Sequence, residues 1–506
     1  MDSEFQDFWF KNVKLWFSGE KTDDYIKPFA PLLFDESLLE KNPYIYIIAH
    51  DQIPRHIFRG KPAIISYHLT KALIACNDHI ASLQYCKDDV LWTWCLMPVK
   101  HIENNHSNLK VLLSVIWDRI KAQGTSPILK RFLMNTYKKY SMKVHGARRS
   151  IENFMFSTDL FAECTEPIIN QSIESKESYQ DLLEVVEKEY LTFAANQKEI
   201  TLSLSGGVDS MVLFHILHLL RRKYCFKLNI VHINYNNRLI CSREEKFVCC
   251  AAAKHGYTVF VRVFDEIKRS ECIKIGLREF YERYTECGRF QAYLDVQQEG
   301  VPFVVLGHNM CDCVENIFTN ISNNCGFDNL KGMTVMSEKV FANSTISESQ
   351  AINIFRPLLT ISKDNIRYYA SVNNITHLQN STPVWSQRGK LRNNVISVIE
   401  KWDKRFVPNL IKLATQNNEI YKFVNMRASQ IYTNHFVNKQ TMSLAEIQNT
   451  PVYVWSEIFR HFLNIQVSTK SIQHFMGKAT KSEFKVVLTP VVTLTYSMGV
   501  LMCGKL

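Results

Sequence analysis

The sequence predicts an α/β protein. A parallel β-sheet wrapped by helices is expected in the middle of the chain, after an all-helical region and before a small, mostly helical region that ends in a β-hairpin. Short apolar runs alternate with amphipathic stretches from about residue 196 to 375, a pattern typical of parallel-sheet domains. Apolar residues in the first 155 residues recur at helical spacing. Residues 484–504 are rich in β-branched side chains, which favours strands.

Composition describes an ordinary globular protein and favours an anionic partner, although a positive charge that serves only solubility fits as well. The 506 residues are 46% apolar and 22% charged, and the net charge is +11, which suits a nucleic-acid ligand. The chain starts with a polar, acidic stretch, and its 14 cysteines include no C-x-x-C pair. Free thiols in a reducing compartment are therefore expected, and with them a cytoplasmic location and no structural zinc site.

The composition shifts divide the chain into four expected parts. They are a helical domain (1–155), a linker and helix (156–195), a catalytic α/β domain (196–395) and a substrate-binding region (396–506). The uncharged run 486–504 is long enough to span a membrane, but its threonines and its proline suit a hairpin better. No membrane partner is therefore expected, and the oligomeric state stays open.

Two motifs mark the helical region. They are Asp51-Gln52-Ile53-Pro54-Arg55 and the run from Met97 to Glu103. With Phe8-Trp9-Phe10 they make residues 5–150 resemble a bacterial family of helical, TPR-like domains of unestablished function. His101 and Glu103 are either a catalytic acid–base pair or a polar cluster that fixes helix packing, and we favour the second. Because the linker has no apolar period, we expect a chain of residues 180–506 to fold alone.

The strongest functional signal is a glycine-rich turn between an apolar strand (200–204) and a helix (208–222). Glycine lets the backbone approach a ligand closely, and a helix N-terminus attracts anions. The turn therefore predicts a site for a di- or triphosphate. Its residues are Ser205, Gly206, Gly207, Val208, Asp209 and Ser210.

Further strands predict the rest of the site, because ligands of parallel sheets bind at the carboxyl ends of strands. Strands are expected at 228–233, 257–263 and 303–306, and His232 falls at the end of the first of these. After strand 303–306 come His308, Asp312 and Glu315. The two carboxylates are three residues apart and share a helix face, so with Asp209 they are candidate magnesium ligands. His308 can touch phosphate or substrate.

A basic segment follows the α/β domain. Residues 380–413 contain seven Lys or Arg residues against two acidic ones. Such a surplus beside a catalytic site suits contacts with RNA phosphates. Arg388, Lys390 and Arg392 are the expected tRNA-binding residues.

These motifs resemble known families. The turn 205–210 is similar to the SGGxDS loop of the ATP pyrophosphatases, or PP-loop proteins, which implies an adenine nucleotide α-hydrolase-like fold. Residues 307–316 resemble the GHHxDDxxET motif of the tRNA(Ile)-lysidine synthetases, and 231–238 and 380–394 resemble two further segments of that family. The resemblance spans about 196–410. The chain departs from the family at Asn309, Cys311, Asn316 and Tyr235.

The resemblance implies a reaction. ATP adenylates the C2 carbonyl of a cytidine at the wobble position of a tRNA anticodon, and the amine of free lysine displaces AMP. ATP and Mg²⁺ are the implied cofactors, and tRNA and lysine the implied partners. The implied catalytic residues are His308, Asp209, Asp312 and Glu315, and His232 is implied beside the nucleotide with the loop.

Two other functions remain open. A tRNA thiolase would use the same adenylation, and Cys311 and Cys313 lie beside the site, although the chain lacks the C-x-x-C pairs common in such enzymes. A degenerate adaptor would bind RNA without turning over ATP, as the departures from the family motif suggest. Intact Asp209, Asp312 and Glu315 argue against the adaptor.

Overall fold

The structure is a computed structural model. The part of the chain that it describes comprises residues 1–12, 23–83, 85–102, 106–141, 148–149, 181–297, 300–323, 330, 332–342, 349–378, 387–489 and 492–505. Most of the predicted linker, Glu103 and the segment 380–386 lie outside the described residues.

The middle of the chain folds into a mostly parallel seven-stranded sheet. Its strands are β1 (Arg148–Arg149), β2 (Glu199–Ser203), β3 (Lys227–Asn234), β4 (Val259–Val263), β5 (Phe303–Val305), β6 (Met336–Ala342) and β7 (Ser349–Phe355). They lie in the order β1-β4-β3-β2-β5-β7-β6. The five central strands of this order are parallel, while β1 and β6 pair antiparallel at the two edges.

Helices cover both faces of this sheet. One apolar layer packs Leu202 and Ile230 against Val212 and Phe247, and the opposite layer packs Val231 and Val304 against Phe290 and Tyr293. The predicted α/β fold is therefore confirmed. The described helices of the α/β domain are numbered after the ten N-terminal helices. They are α11 (Leu182–Phe193), α12 (Val208–Tyr224), α13 (Cys241–Ala253), α14 (Arg269–Lys274), α15 (Arg278–Val296), α16 (Met310–Ser322) and α17 (Lys363–Val372).

The strands predicted from apolar runs are present within one or two residues of their expected bounds. Strands β1, β6 and β7 were not predicted. β6 lies at an edge, where the side chains of residues 336–340 stay partly exposed, so it lacks the continuous apolar run of a central strand. β7 alternates instead, with Ile352 and Ile354 buried.

The N-terminal region is helical, as predicted. In chain order its described helices are α1 (Asp2–Lys11), α2 (Asp23–Ile26), a 3-10 helix (Lys27–Phe34), α3 (Ser37–Lys41), α4 (Pro43–Ile57), α5 (Pro62–Asp78), α6 (Ile80–Leu83), α7 (Asp89–Cys95), α8 (Met97–His101), α9 (His106–Gln123) and α10 (Pro127–Ser141).

These helices share one hydrophobic core with the α/β domain. The shared cluster of N-terminal aromatic residues also buries Phe264, in the loop after β4, and Tyr281 and Tyr284 on α15. The Tyr137 hydroxyl donates to the Glu266 carbonyl at 2.8 Å, and Lys110 pairs with Asp265 at 2.7 Å. The folding of residues 180–506 alone stays a prediction, and this shared core argues against it. A linker without an apolar period does not show which surfaces the flanking elements bury.

We therefore expect a chain truncated to residues 180–506 to unfold at lower temperature and to aggregate. Exposing Phe264, Tyr281 and Tyr284 forfeits about 1.5–3 kcal/mol for each side chain, a sum comparable to the whole stability of many domains. Thermal unfolding and size-exclusion chromatography measure the effect, and adding residues 1–155 in trans should restore solubility. A monomeric truncated chain with an unchanged Tm would show that the contact is energetically neutral.

The C-terminal region is joined to the α/β domain by a long helix. α20 (Phe406–Ile431) begins against α16, where Val407 packs on Val314, and ends in a separate core around Trp455 and Phe475. The other described elements are α18 (Gln387–Lys390), α19 (Ser397–Trp402), α21 (Leu444–Asn449), α22 (Val452–Glu457), α23 (Thr469–Lys478) and π-helical turns at Leu391–Ile396, Tyr432–Val437 and Ile458–Phe462.

The predicted C-terminal hairpin is part of a three-stranded antiparallel sheet. Strands β8 (Phe484–Thr489) and β9 (Val492–Ser497) pair as expected, and β10 (Val500–Lys505) adds a third strand to β9. The tight turn between β9 and β10 uses Met498 and Gly499, both with positive φ, which a type I′ turn requires. In the described residues we find no helix with the length and apolarity needed to cross a membrane.

Candidate active site

The phosphate loop lies at the carboxyl edge of the sheet, directly after β2. The Ser205 hydroxyl lies 3.0 Å from the Ser210 hydroxyl and accepts from the Gly207 N–H at 3.4 Å. The Ser210 hydroxyl donates to the Gly207 carbonyl at 3.0 Å. The two serines thus hold the loop shape, while helix α12 begins after it without any side-chain cap. The first N–H groups of a 17-residue helix are left to face an anion.

Two glycines let the backbone pack closely around this loop. Gly206 has φ +87°, and a Cβ there would meet the Leu378 side chain at 2.7 Å. A Cβ on Gly307 would lie 3.1 Å from the Ser210 backbone nitrogen. Gly307 follows β5, so its lack of a side chain lets the neighbouring strand's loop approach the start of α12.

Asp209 is held by two residues that arrive from other strands. Lys363, at the start of α17, lies 2.8 and 2.6 Å from its two carboxylate oxygens. The Asn309 amide donates to Asp209 Oδ1 at 2.9 Å. Asn309 also caps α16 by accepting from the Cys311 N–H at 2.8 Å, so this departure from the family motif has a structural role.

His232 supports the loop from beneath. It is 4% exposed, and its Nδ1–H donates to the Leu204 carbonyl at 2.8 Å, immediately before Ser205. Burial lowers the pKa of His232, which keeps the ring neutral. The predicted role beside the nucleotide stays a prediction, and the observed contact positions the start of the loop.

His308 follows β5 and is neutral with a defined tautomer. Arg356, which follows β7, donates from Nε to His308 Nδ1 at 3.2 Å. Because an arginine only donates, Nδ1 accepts and the proton sits on Nε2. Burial lowers the pKa of His308 to about 4, and the neighbouring arginines act in the same direction. His308 can thus donate a hydrogen bond from Nε2 at neutral pH.

Asp312 and Glu315 share a face of α16, as predicted, and both are bound by arginines of the basic segment. Arg388 reaches Asp312 Oδ1 at 2.8 Å and Glu315 Oε2 at 3.0 Å. Arg392 reaches Glu315 Oε1 at 2.8 Å through Nε and 2.6 Å through Nη2. The Glu315 side chain is 1% exposed, so both of its oxygens are used by the protein itself.

The structure thus gathers the predicted residues in a way that the sequence did not show. Arg388 and Arg392 bind the carboxylates of the preceding paragraph, while Lys390 between them is exposed. Among the described residues, no three His, Cys, Asp or Glu side chains converge as metal ligands would, so Asp209, Asp312 and Glu315 form no preformed three-ligand site.

Sequence reasoning missed Lys363 and assigned no role to Arg356. Both residues lie after β7, whose carboxyl end meets the same sheet edge as those of β2 and β5. Predicting β7 as a parallel strand would have placed them beside the loop, but the sequence analysis did not predict this strand.

A cavity of about 320 Å³ opens at α15, lined by Tyr235, Thr285, Glu286 and Arg289 among others. Arg289 is close enough to lower the pKa of both His308 and Arg356. Tyr235 stacks on Phe264, with ring centroids 5.6 Å apart and planes 9° apart. This second departure from the family motif therefore forms one wall of the cavity.

The two cysteines near the site are protonated thiols. Burial raises the pKa of Cys311 and of Cys313. The thiolate is the nucleophilic form of cysteine, so neither side chain is set up to transfer sulfur.

Comparison with known proteins agrees with this geometry. Residues 175–399 match the family model described as a PP-loop domain. The α/β part of this chain is therefore a PP-loop domain, a class defined by a phosphate loop between the first strand and helix of a parallel sheet.

Several curated relatives carry one name. The chain is 25% identical over 272 residues to the tRNA(Ile)-lysidine synthase of Streptococcus pyogenes serotype M3, covering 53% of this chain and 56% of that protein. It is 30% identical over 203 residues to the tRNA(Ile)-lysidine synthase of Pseudothermotoga lettingae, covering 40% and 41%. The chain spans about half the length of these relatives.

Among solved structures, the U34-tRNA thiolase NcsA from Methanococcus maripaludis with its 4Fe-4S cluster is similar to 46% of this chain. The similarity covers 77% of the thiolase chain at 13% identity, with a TM-score of 0.37.

Proposed function

We propose that this protein modifies tRNA in an ATP-dependent reaction of the tRNA(Ile)-lysidine synthetase type. ATP adenylates the C2 carbonyl of a cytidine at the anticodon wobble position, with release of pyrophosphate, and the amine of free lysine then displaces AMP. The enzyme is a ligase that forms a carbon–nitrogen bond. Its partners are tRNA and lysine, and its compartment is the cytoplasm.

One observation carries the proposal. The open helix N-terminus of the phosphate loop, the hydrogen-bond donor His308 and the partly exposed carboxylate of Asp312 meet at one sheet edge. A pyrophosphate group, a reacting carbonyl and an incoming amine need an anion site, a donor and an acceptor, respectively. The similarity to proteins named tRNA(Ile)-lysidine synthase, at 25% and 30% identity over about half of the chain, supports this combination.

Each residue then has a task. The N–H groups after Gly207 bind the β- and γ-phosphates, and Lys363 neutralises the charge that grows on departing pyrophosphate. Asp209 holds Lys363 at the mouth of the loop. His308 donates from Nε2 to an oxygen of the α-phosphate or of the nucleobase. The cavity beside Arg289 falls in the usual size range of small-molecule sites, about 300–1,000 Å³, and receives the reacting nucleoside or lysine.

Magnesium fits only part of the predicted ligand set. Asp209 and Asp312 offer hard carboxylate oxygens near the phosphates, whereas Glu315 is reachable by a cation only if Arg388 and Arg392 move away. Bound Mg²⁺ supplies charge neutralisation on the phosphates. We assign Glu315 to holding the two arginines in place.

The alternatives fit less well. Protonated Cys311 and Cys313 weigh against a thiolase, and the pair of Asp209 and Lys363 at the phosphate loop weighs against an adaptor without turnover. Product analysis separates the three. Full-length protein with ATP, lysine and tRNA should release pyrophosphate and AMP and incorporate labelled lysine into tRNA. Sulfur incorporation would support a thiolase, and ATP left intact would support an adaptor.

The basic segment gives a prediction about RNA affinity. Lys390 is exposed between two arginines that are already paired, so Lys390→Ala should weaken tRNA binding and flatten its salt dependence by about 0.7–0.9 log unit for one lost phosphate contact. Filter binding at several salt concentrations measures this slope, and ATP affinity should not change.

The matched control is Lys87→Ala, which removes an exposed lysine from the N-terminal helical region, away from the predicted substrate-binding region. If Lys390→Ala leaves the slope unchanged, the segment does not touch RNA. Neutralising Arg388 and Arg392 as well is expected to impair ATP chemistry too, because their carboxylate partners lie beside the phosphate loop.

A further inference from the structure

The N-terminal helices contain a second polar cluster, formed around Asp51 in the motif that the PP-loop chemistry does not use. The Asp51 side chain is fully buried. Its carboxylate accepts from His101 Nδ1, with both oxygens at 2.9 Å. It also accepts from the Gln52 amide at 2.5 Å and from Arg55 at 3.3 Å.

The contact with Asp51 sets the orientation of His101. A carboxylate only accepts, so Nδ1 carries the proton and Nε2 points away from Asp51. The His101 side chain is 24% exposed, so solvent reaches the ring while Asp51 stays dry. An imidazole oriented by a buried carboxylate, with its other nitrogen free to act, is an arrangement that active sites use.

Arg55 lies next to this imidazole. Arg55 and His101 both bind the same oxygen, Asp51 Oδ1. Arg55 uses its Nε and Nη2 for that contact, which leaves Nη1 and one Nη2 proton on the other edge of the planar group. Its side chain is 30% exposed, so this edge is available to a ligand.

Two lysines add positive charge. Lys100 is close enough to Asp51 for their charges to interact, and burial together with Lys139 lowers the pKa of Lys100 to about 8. The Lys139 ammonium donates to the Lys100 and Ile102 carbonyls. The Lys100 ammonium lies over the Phe132 ring, 5.7 Å from its centroid. Among the described residues, the Asp51 carboxylate thus lies near the cationic side chains of Arg55 and Lys100, with Lys139 next to Lys100.

Helix packing does not account for this arrangement. Neutral donors such as the Gln52 amide can satisfy a buried carboxylate, whereas collecting like charges around it costs free energy. An anion placed among Arg55, Lys100 and His101 removes that cost. Phosphate suits the site better than a single carboxylate, because two negative charges match the cationic surplus and a guanidinium binds phosphate oxygens in pairs.

We propose that Arg55, Lys100 and His101 form a second ligand site, which binds the phosphate group of a small molecule. Arg55 and Lys100 bind its oxygens, and His101 contacts it through Nε2. This site is separate from the phosphate loop and stands whether or not the proposed tRNA reaction is correct.

Chemical footprinting of the full-length protein tests this site directly. Diethyl pyrocarbonate modifies neutral imidazole, and mass spectrometry of the peptides reports each histidine separately, so occupancy of the phosphate loop does not confuse the readout. In a buffer free of phosphate, adding inorganic phosphate should protect His101 in a saturable way. His79, whose Nδ1 donates to the Ala75 carbonyl in the same domain, is the internal control and should not be protected.

Two variants identify the residues responsible. Arg55→Ala and Lys100→Gln should each raise the phosphate concentration that gives half-protection about tenfold, as expected for a loss of 1.4 kcal/mol. The matched control Arg59→Ala removes an arginine that lies just after the same helix and pairs with Asp23, and it should leave protection intact. Circular dichroism confirms that each variant folds.

Three outcomes would overturn the proposal. They are no protection of His101 by phosphate, equal protection in both variants and the parent protein, and equal protection by acetate at matched ionic strength. The last would assign the site to carboxylates in general or to salt.

Discussion

Asp209→Asn is expected to abolish pyrophosphate release from ATP while the protein stays folded. The substitution keeps the side-chain shape but removes the charge that holds Lys363 at 2.6 Å. Lys363 would then no longer be fixed where the leaving pyrophosphate gathers charge. Losing one preorganised charge contact typically slows a reaction about 100- to 1,000-fold, and here the loss also removes a candidate magnesium ligand.

The measurement is release of labelled pyrophosphate from ATP in the presence of tRNA and lysine. The Asp209 side chain is 22% exposed, so we expect no change in Tm. Asp364→Asn is the matched control, because Asp364 follows Lys363 on the same helix and is 82% exposed. An unchanged rate in Asp209→Asn would remove this residue from the chemistry. ADP and orthophosphate as products would overturn the α–β cleavage itself.

Glu315→Gln is expected to have the second largest effect, through the arginines and not through a metal. A neutral amide cannot balance two guanidiniums, and a buried pair that loses one partner is destabilised because the remaining charge is left uncompensated. We expect pyrophosphate release to slow about 100-fold. Arg392→Gln should cause a similar loss, because it breaks the same pair from the other side.

A double-mutant cycle separates the two roles. If Glu315 acts by holding Arg392, the double variant should be no slower than either single variant, with a coupling energy of about 2.7 kcal/mol, which equals one 100-fold loss. Glu400→Gln serves as the control, since Glu400 is an exposed acid on the neighbouring helix α19. Additive losses that high Mg²⁺ reverses would instead identify Glu315 as a metal ligand.

Local patterns were enough to predict the phosphate loop and its surroundings. Residues 205–210 are contiguous, and the apolar strand before them and the helix after them are periodic, so the loop's backbone follows from nearest neighbours alone. The three-residue spacing of Asp312 and Glu315 likewise placed both carboxylates on one face of α16. These features need no knowledge of the rest of the chain.

The partners of these residues were not predictable in the same way. Lys363 is 154 residues from Asp209, Arg356 is 48 residues from His308, and Arg388 is 73 residues from Glu315. No periodicity links such positions. The positive charge of the basic segment predicts an RNA surface, but charge alone does not show which arginine pairs with a carboxylate of the same protein.

The sequence by itself determined the α/β class, the position of the phosphate loop and the order of the motifs, because each rests on contiguous residues with a strong local preference. Only the tertiary structure decided that β7 lies beside β5, which brings Arg356 and Lys363 to the loop, and that the N-terminal helices share a core with α15. Strand order and domain packing depend on which apolar surfaces meet across long stretches of chain, and many pairings satisfy the same local pattern.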